Sequence, residues 1–321
     1  MIQTRGIQIF PPASRVAITV LLGVVTAAVA QSREQPPATS TPNTAPAKDD
    51  PKLGDAWTAY QTRLKSIRAE LLKPVISPTE KARATTVPFE WAGVFIAGDG
   101  GGTFLSISVA PASGVCYQWT AHGRVVSFAH GDIESCNNAL LMIKLAKQPD
   151  AESDSFFSDR MYFIPWDDRL FLVSESQMIS FCNHVNEGAF RNGPRFSIFA
   201  LREPGGRGPL SAKPVLPQAF RSRLLDHPIK GAVTRVFEAT AAPNNFCSYP
   251  LLRRKVDMDI GAHSGVQVGM RVFNDNDVCY GTVASVQDDQ CVVALDDTTL
   301  YLKTGLKLHV PALPAETKRP R

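Results

Sequence analysis

Residues 103–129, TFLSISVAPASGVCYQWTAHGRVVSFA, decide the fold of the central part of the chain. Three apolar runs at 103–109, 115–120 and 124–129 are separated by turn residues at 111–114 and 122–123. Short runs of this kind, joined by tight turns that contain Gly or Pro, are typical of antiparallel strands. The stretch therefore predicts three consecutive strands of a β-meander.

Short apolar runs joined by turns also occur in the flanking sequence. We interpret residues 53–203 as one helix followed by a β-meander domain. Its further predicted strands are 90–96, 139–145, 160–164, 170–173 and 196–201. Regular strand lengths and turn signals favour a meander that closes into a barrel or sandwich. A short helix interrupts it, because Ser174 and Gln177 have the spacing of a capping box and Gly188 is placed to end the helix.

Residues 204–227 are rich in Gly and Pro and predict a linker with a short helix. A second β unit over 228–310 follows, and its periodic apolar runs predict six strands: 229–237, 252–260, 268–273, 279–286, 291–295 and 306–310. Six short strands in so few residues suit a small barrel of the SH3 or OB kind. The expected fold class is therefore mainly β, with two small antiparallel units and an N-terminal amphipathic helix.

That helix is predicted over 55–73, between two polar segments. Large apolar side chains recur there at steps of three and four: Trp57, Tyr60, Leu64, Ile67 and Leu71. Such a stripe packs on its own domain or makes a coiled-coil contact, so an oligomer through helix 55–73 is the alternative. Residues 31–52 and 311–321 lack the apolar side chains of a core, and we expect a disordered tether and a disordered tail.

Residues 1–30 have the pattern of a secretory signal peptide. Arg5 and Arg15 precede an apolar run of about 13 residues, and Ala28–Ala30 offers small side chains to a signal peptidase. This run is shorter than the roughly 20 residues that cross a bilayer. We therefore expect a periplasmic or secreted chain that begins near Gln31 and has no transmembrane segment after cleavage.

Charge and cysteine usage narrow the possible functions. The net charge is +4, from 34 basic and 30 acidic residues, which implies no nucleic acid as a partner. The disulfide candidates are Cys116, Cys136, Cys182, Cys247, Cys279 and Cys291. An even number in an exported chain predicts at least one disulfide, and we expect Cys279 and Cys291 to form it. Because no two cysteines have C-x-x-C spacing, zinc or thioredoxin-like chemistry is not expected.

Three groups of residues have the side-chain types of a catalytic or metal site. The spacing within each group argues against such a site. Cys182 and His184 would point about 200° apart on a helix. His122 and His130 would lie roughly 26 Å apart along a strand. The carboxylates of 167–168 fall on a turn, where acidic residues are usually solvated. We therefore predict no catalytic residue, metal or cofactor, and favour a non-catalytic protein over an enzyme with a dispersed site.

The first β unit could instead hold a small apolar ligand, as lipocalins do. Four aromatic side chains are the candidates for lining such an interior: Phe95, Phe104, Tyr117 and Trp119. Barrels of this size are as often filled by their own side chains. A lipocalin-like binder is therefore the alternative function.

Residues 259–273 and 281–286, DIGAHSGVQVGMRVF and GTVASV, resemble the small β-barrel module of the cell-shape scaffold MreC and of periplasmic flagellar-assembly proteins. Glycines at the bends are Gly261, Gly265 and Gly269, and the expected inward side chains are Val266, Val268, Met270 and Val272. In those families the module mediates assembly and carries no catalytic residues. The resemblance thus implies a small barrel that binds a partner.

The first β unit resembles uncharacterised exported bacterial proteins. The matching pieces are Gly98-Asp-Gly, Val109-Ala-Pro, Tyr117-x-Trp119, Ile164-Pro-Trp166 and Phe181-Cys-Asn. This resemblance implies no activity. Taken together, the patterns predict an exported, non-catalytic binding or assembly module of the bacterial envelope, whose partner is an envelope protein or a cell-wall component.

Overall fold

The computed structural model describes residues 51–72, 91–98, 101–137, 139–146, 157–190, 199–203, 210, 213–242, 251–276, 278–295 and 302–313. The predicted signal peptide, most of the predicted tether and Cys247 lie outside these residues. The described chain is mainly β, with an N-terminal helix and two closed antiparallel barrels. The predicted fold class is confirmed.

The first barrel has eight strands that pair in chain order. They are β1 (Gly93–Gly98), β2 (Thr103–Ala110), β3 (Gly114–Ala121), β4 (Arg124–Asn137), β5 (Leu140–Leu145), β6 (Arg160–Trp166), β7 (Arg169–Ser174) and β8 (Ala200–Glu203). Pairing of β1 with β8, with Val94 opposite Glu203, closes the barrel. The strands of the 103–129 stretch form as predicted, except that β4 continues past Ala129 to Asn137 because β5 extends its pairing.

Side chains alternate between the inside and the outside of this barrel. Along β6, Met161 and Phe163 join the interior cluster, whereas Tyr162 and Ile164 join a cluster on the outer face. The fully buried interior side chains include Phe95, Ile107, Val109, Val115, Tyr117, Leu141 and Met161. The described interior is therefore filled by the barrel's own residues.

Helix α1 (Pro51–Leu71) covers the outer face of β2, β3 and β4. Tyr60 and Ile67 of the predicted stripe are buried in one cluster with Cys116 and Phe128 of the barrel. The helix thus packs on its own domain, as the stripe predicted. Oligomerisation through this helix stays a prediction, and such a contact would have to use its opposite face.

A second helix covers the outer face of the barrel at β6 and β7. A 3-10 turn at Glu175–Gln177 leads into α2 (Met178–Asn186). The expected capping box does not form, because the Ser174 hydroxyl meets the Ser176 hydroxyl at 3.1 Å and makes no bond to the helix. Instead, aromatic packing holds the helix: Phe181 contacts Trp166, Phe171, Phe190 and Phe199.

The second barrel contains one strand more than predicted. Its strands are β9 (Ile229–Val236), β10 (Thr240–Ala242), β11 (Leu251–Met258), β12 (Arg271–Phe273), β13 (Cys279–Val286), β14 (Cys291–Leu295) and β15 (Lys307–Val310). The pairing order is β10-β11-β14-β13-β12-β15-β9, and contact between β9 and β11 closes the barrel. Strand β10 extends β11 beyond the closed part as a hairpin.

One expected inward residue of this barrel points outward. Val266, Met270 and Val272 are buried, but 49% of Val268 is exposed. The cause is Gly269, whose φ of +87° turns the chain between Val268 and β12. The backbone around Gly269 is therefore a turn, and the inward alternation starts again at Met270.

The two barrels touch through α2 and the turn at Gly269. Asn183 donates a hydrogen bond from Nδ2 to the Gly269 carbonyl at 2.8 Å. Arg271 donates from Nη1 to both carboxylate oxygens of Glu187 at 3.1 Å. In addition, Arg223 Nη1 donates to the Val268 carbonyl at 2.9 Å. The first two contacts join the first barrel with its helix α2 to the second barrel, and the third ties the segment between the barrels to the second one.

The predicted disulfide between Cys279 and Cys291 is wrong. No disulfide joins any two of the five described cysteines, and Cys291 lies opposite Val286 in the β13–β14 ladder. Since Cys279 begins β13, the two Cα atoms are separated by roughly 23 Å along the strand, far beyond the roughly 4.4–6.8 Å that a disulfide spans.

Within the described ranges, no helix combines the length and apolarity needed to cross a bilayer.

We expect the native thiols to differ sharply in reactivity. Cys279 is exposed, whereas burial raises the pKa of Cys116 and of Cys182 to about 12 and that of Cys291 to about 11. Because the thiolate is the nucleophile, a pKa raised to about 12 leaves about a thousandfold less thiolate at pH 8 than an ordinary cysteine has.

Iodoacetamide at pH 8 should therefore label Cys279 first, and the three buried cysteines only after unfolding in urea. Raising the pH from 7 to 9 should not change this order, since both values lie below the raised pKa values. Peptide mapping by mass spectrometry gives the rates. Equal labelling of all four cysteines in the native protein would contradict the described burial.

A candidate binding cleft beside the first helix

An open cleft of about 740 Å³ lies between α1, the turn that joins β2 to β3, and the middle of β4. The residues that line it are Asp55, Thr58, Ala59, Thr62, Arg63, Ser66, Ala112, Ser113, His130 and Asp132. Most of these side chains are polar, in contrast to the apolar interiors of both barrels. The cleft exists because the polar flank of α1 rises beside the barrel while its apolar stripe is buried against it.

Arg63 connects the helix to the barrel wall. Its Nη1 donates to the Gly131 carbonyl at 2.7 Å and to Asp132 Oδ1 at 2.5 Å. Gly114 makes room for this arrangement, since a Cβ there would lie 2.3 Å from the Gly131 carbonyl oxygen and 2.7 Å from Arg63 Nη1. Arg63 thus links α1 to β4 by hydrogen bonds to one backbone carbonyl and one carboxylate.

Glu70, which lies outside the lining, fixes the turn between β2 and β3 that forms one side of the cleft. Its carboxylate accepts hydrogen bonds from the backbone N–H groups of Ala112 at 3.0 Å and Ser113 at 2.8 Å. These bonds tie the turn between β2 and β3 to the last turn of α1. This side of the cleft is therefore anchored to the helix.

A row of hydroxyl groups follows the helix side of the cleft. Thr58, Thr62 and Ser66 are four residues apart, which places successive hydroxyls on one face at steps of about 6 Å. Each donates its hydrogen to a helix carbonyl four residues earlier, at distances of 2.9, 2.9 and 3.2 Å. Because the hydrogens are used in this way, the oxygens present lone pairs to the cleft.

The lining of the cleft carries charges of both signs. Hydrogen bonding and attraction from Arg63 lower the pKa of Asp132, so this carboxylate is ionised at neutral pH. Burial and the nearby Arg63 lower the pKa of His130, so its imidazole is neutral there. Asp55 lies at the helix end of the cleft, so the lining holds one positive and two negative side chains. Lys144, outside the lining, lies opposite Asp132 in the β4–β5 ladder and its charge also lowers the pKa of that carboxyl.

The structure separates the four aromatic residues that were proposed to line an apolar ligand site. Phe95, Tyr117 and Trp119 belong to the interior of the first barrel, where Tyr117 stacks on Phe157 with ring centroids 4.8 Å apart. Phe104 lies on the outside and is 45% exposed. Phe104 is the neighbour of Leu105, which points inward, and neighbouring residues of a strand face opposite sides.

The other groups of candidate residues from the sequence do not form a common site in the structure. Cys182 is buried in the aromatic cluster of α2, and His184 Nδ1 lies 2.8 Å from the Ser180 carbonyl oxygen. His122 sits at the turn before β4, whereas His130 lies in the cleft. Among the described residues, no three His, Cys, Asp or Glu side chains form a group that could hold a metal.

Sequence reasoning did not identify the cleft. The spacing of Thr58, Thr62 and Ser66 is visible in the sequence as a polar row on one helix face. The contact of Arg63 with Asp132 joins residues that are far apart in the chain, and no local pattern marks it.

Comparison with known proteins found no matching family model, no matching curated protein and no matching solved structure.

Proposed function

We propose that this protein is an exported, non-catalytic binding or assembly module of the bacterial envelope, and that the cleft beside α1 holds its partner. The partner is an envelope protein or a cell-wall component. Support comes from the signal-peptide pattern of residues 1–30 and from the two-barrel architecture. The resemblance of residues 259–286 to an assembly module supports it as well.

The observation that carries the proposal is the locked geometry of Arg63 and Asp132. A catalytic acid or base works best with a pKa near the operating pH. Here the pKa of Asp132 is lowered and its carboxylate is tied to Arg63, while the pKa of His130 is also lowered. Such groups accept and donate hydrogen bonds in a fixed arrangement, which suits recognition better than proton transfer.

A steric block of the cleft tests this function. Ala59 is exposed and lines the cleft, so Ala59→Arg should fill it while keeping good helix propensity. Ala69→Arg is the matched control, because Ala69 is exposed on the same helix and outside the cleft lining. We expect the mature chain to retain a component of an envelope extract, the control to retain the same component, and Ala59→Arg to lose it.

Quantitative mass spectrometry of the retained material gives the readout. If all three baits retain the same components, the cleft does not hold the partner and the proposal fails. Turnover of a substrate by the mature chain would contradict the non-catalytic part and favour an enzyme with a dispersed site. The lipocalin-like alternative has less support, because the described interior is filled by side chains such as Phe95 and Tyr117.

A further inference from the structure

We propose that the cleft beside α1 recognises a neutral, polyhydroxylated ligand of the carbohydrate class. This inference rests on the proposed binding function and names the chemistry of the ligand. It follows from three properties of the cleft: its size, the pairing of its charged side chains and the hydrogen-bonding roles of its walls.

The size of the cleft fits a ligand of a few sugar rings. Pockets for small molecules usually measure about 300–1,000 Å³, and this cleft of about 740 Å³ lies within that range. Most such pockets are lined mainly by apolar and aromatic side chains. Here eight of the ten lining residues carry a hydroxyl, carboxylate, imidazole or guanidinium group, and an apolar ligand would leave these groups without hydrogen bonds at a cost in free energy.

The ion pair of Arg63 and Asp132 disfavours a strongly charged ligand at this place. An anion would have to compete with Asp132 for Arg63, which already donates to that carboxylate at 2.5 Å. A cation at Asp132 would be repelled by Arg63, which is paired with this carboxylate, and by Lys144, whose charge also acts on it. A neutral ligand meets neither cost, because it leaves the existing ion pair intact.

The hydrogen-bonding pattern suits hydroxyl groups. Thr58, Thr62 and Ser66 present oxygen lone pairs at steps of about 6 Å, so this wall needs a ligand with several donors in a row. The facing wall presents the neutral imidazole of His130 and the carboxylate of Asp132. A sugar hydroxyl both donates and accepts, so neighbouring hydroxyls of one sugar chain can satisfy both walls.

The test uses three neutral trisaccharides, maltotriose, cellotriose and chitotriose, with trigalacturonate as an anionic probe and spermidine as a cationic probe. Chemical-shift mapping of the ¹⁵N-labelled mature chain shows where each probe binds. We expect at least one neutral trisaccharide to shift the amides of Thr62 and His130. Saturation by trigalacturonate or spermidine alone would overturn the inference, as would shifts confined to other surfaces or no shifts at all.

Thr62→Val removes one hydroxyl at nearly constant shape and should weaken the trisaccharide about fivefold, the size of one neutral hydrogen bond. Thr234→Val is the matched control, since Thr234 is exposed on β9 of the second barrel. Equal affinities of both variants and the wild type would contradict a role of the hydroxyl row. If the trisaccharides fail but Ala59→Arg still abolishes retention of an envelope component, the ligand class is wrong and the binding function stands.

Discussion

Replacing Gly269 with Val should destabilise the second barrel by roughly 2–6 kcal/mol. Two costs add up at this position. The φ of +87° is one that a β-branched residue rarely adopts, which costs about 1–3 kcal/mol. A Cβ would also lie 2.8 Å from Cγ2 of Ile179 on α2, and crowding of this kind costs about 1–3 kcal/mol.

Gly305→Val is the control that separates the two costs. Gly305 has a φ of +83° in the same barrel, but a Cβ there would meet nothing within 4 Å. Its substitution should therefore cost only the backbone strain, about 1–3 kcal/mol. Adding Ile179→Ala to Gly269→Val should restore part of the loss by removing the clash.

Urea unfolding followed by two probes measures the effect. Far-ultraviolet circular dichroism reports on both barrels, whereas all four tryptophans lie in the first unit, at 57, 91, 119 and 166. We expect the dichroism midpoint to fall and the tryptophan transition to persist. Normal unfolding of the Gly269→Val protein, or equal losses for Gly269→Val and Gly305→Val, would show that contact with Ile179 does not matter.

The second large effect is expected at Phe95. This side chain is fully buried in the first barrel, beside Phe163 at a centroid distance of 5.8 Å. Phe95→Ala would leave a cavity in a filled interior, and the free energy of unfolding should fall by about 3–5 kcal/mol. Phe104→Ala, on the next strand, removes a side chain that is 45% exposed and should cost less than about 1 kcal/mol.

Equilibrium unfolding by tryptophan fluorescence compares these two matched variants. The comparison also bears on the lipocalin-like alternative, because a hollow interior would tolerate truncation of Phe95. A loss below about 1 kcal/mol for Phe95→Ala would indicate that the barrel is not filled around it. A loss at Phe104 as large as that at Phe95 would contradict the outward orientation of Phe104.

Local sequence patterns predicted the parts of this fold that short-range physics decides. Short apolar runs separated by turn residues located the strands of 103–129, and the steps of three and four located α1. The stripe also predicted correctly that α1 packs on its own domain, because an apolar face must be buried somewhere. The shift of α1 from 55–73 to Pro51–Leu71 is within the usual uncertainty of helix ends.

Local sequence patterns could not predict the features that depend on contacts between distant parts of the chain. The register of β13 against β14 places Cys291 opposite Val286, and no local signal distinguishes this pairing from one that brings Cys279 closer. Val268 turned outward because of the backbone at Gly269, which alternation alone does not reveal. The cleft itself requires α1 and β4 to meet, so Arg63 and Asp132 could not be paired from the sequence.

Closure of the first barrel also has a consequence for how the chain reaches its native state. The β1–β8 pairing joins residues near 95 to residues near 202, roughly 100 positions apart, so its entropy cost must be met before its hydrogen bonds are gained. The hairpins from β1 to β5 connect near neighbours and can form earlier. Such non-local pairing is typical of slow folding, with rates in the millisecond-to-second range. Until the ends meet, β1 and β8 are open edges that can pair with another unfolded copy, so refolding yield should fall as protein concentration rises.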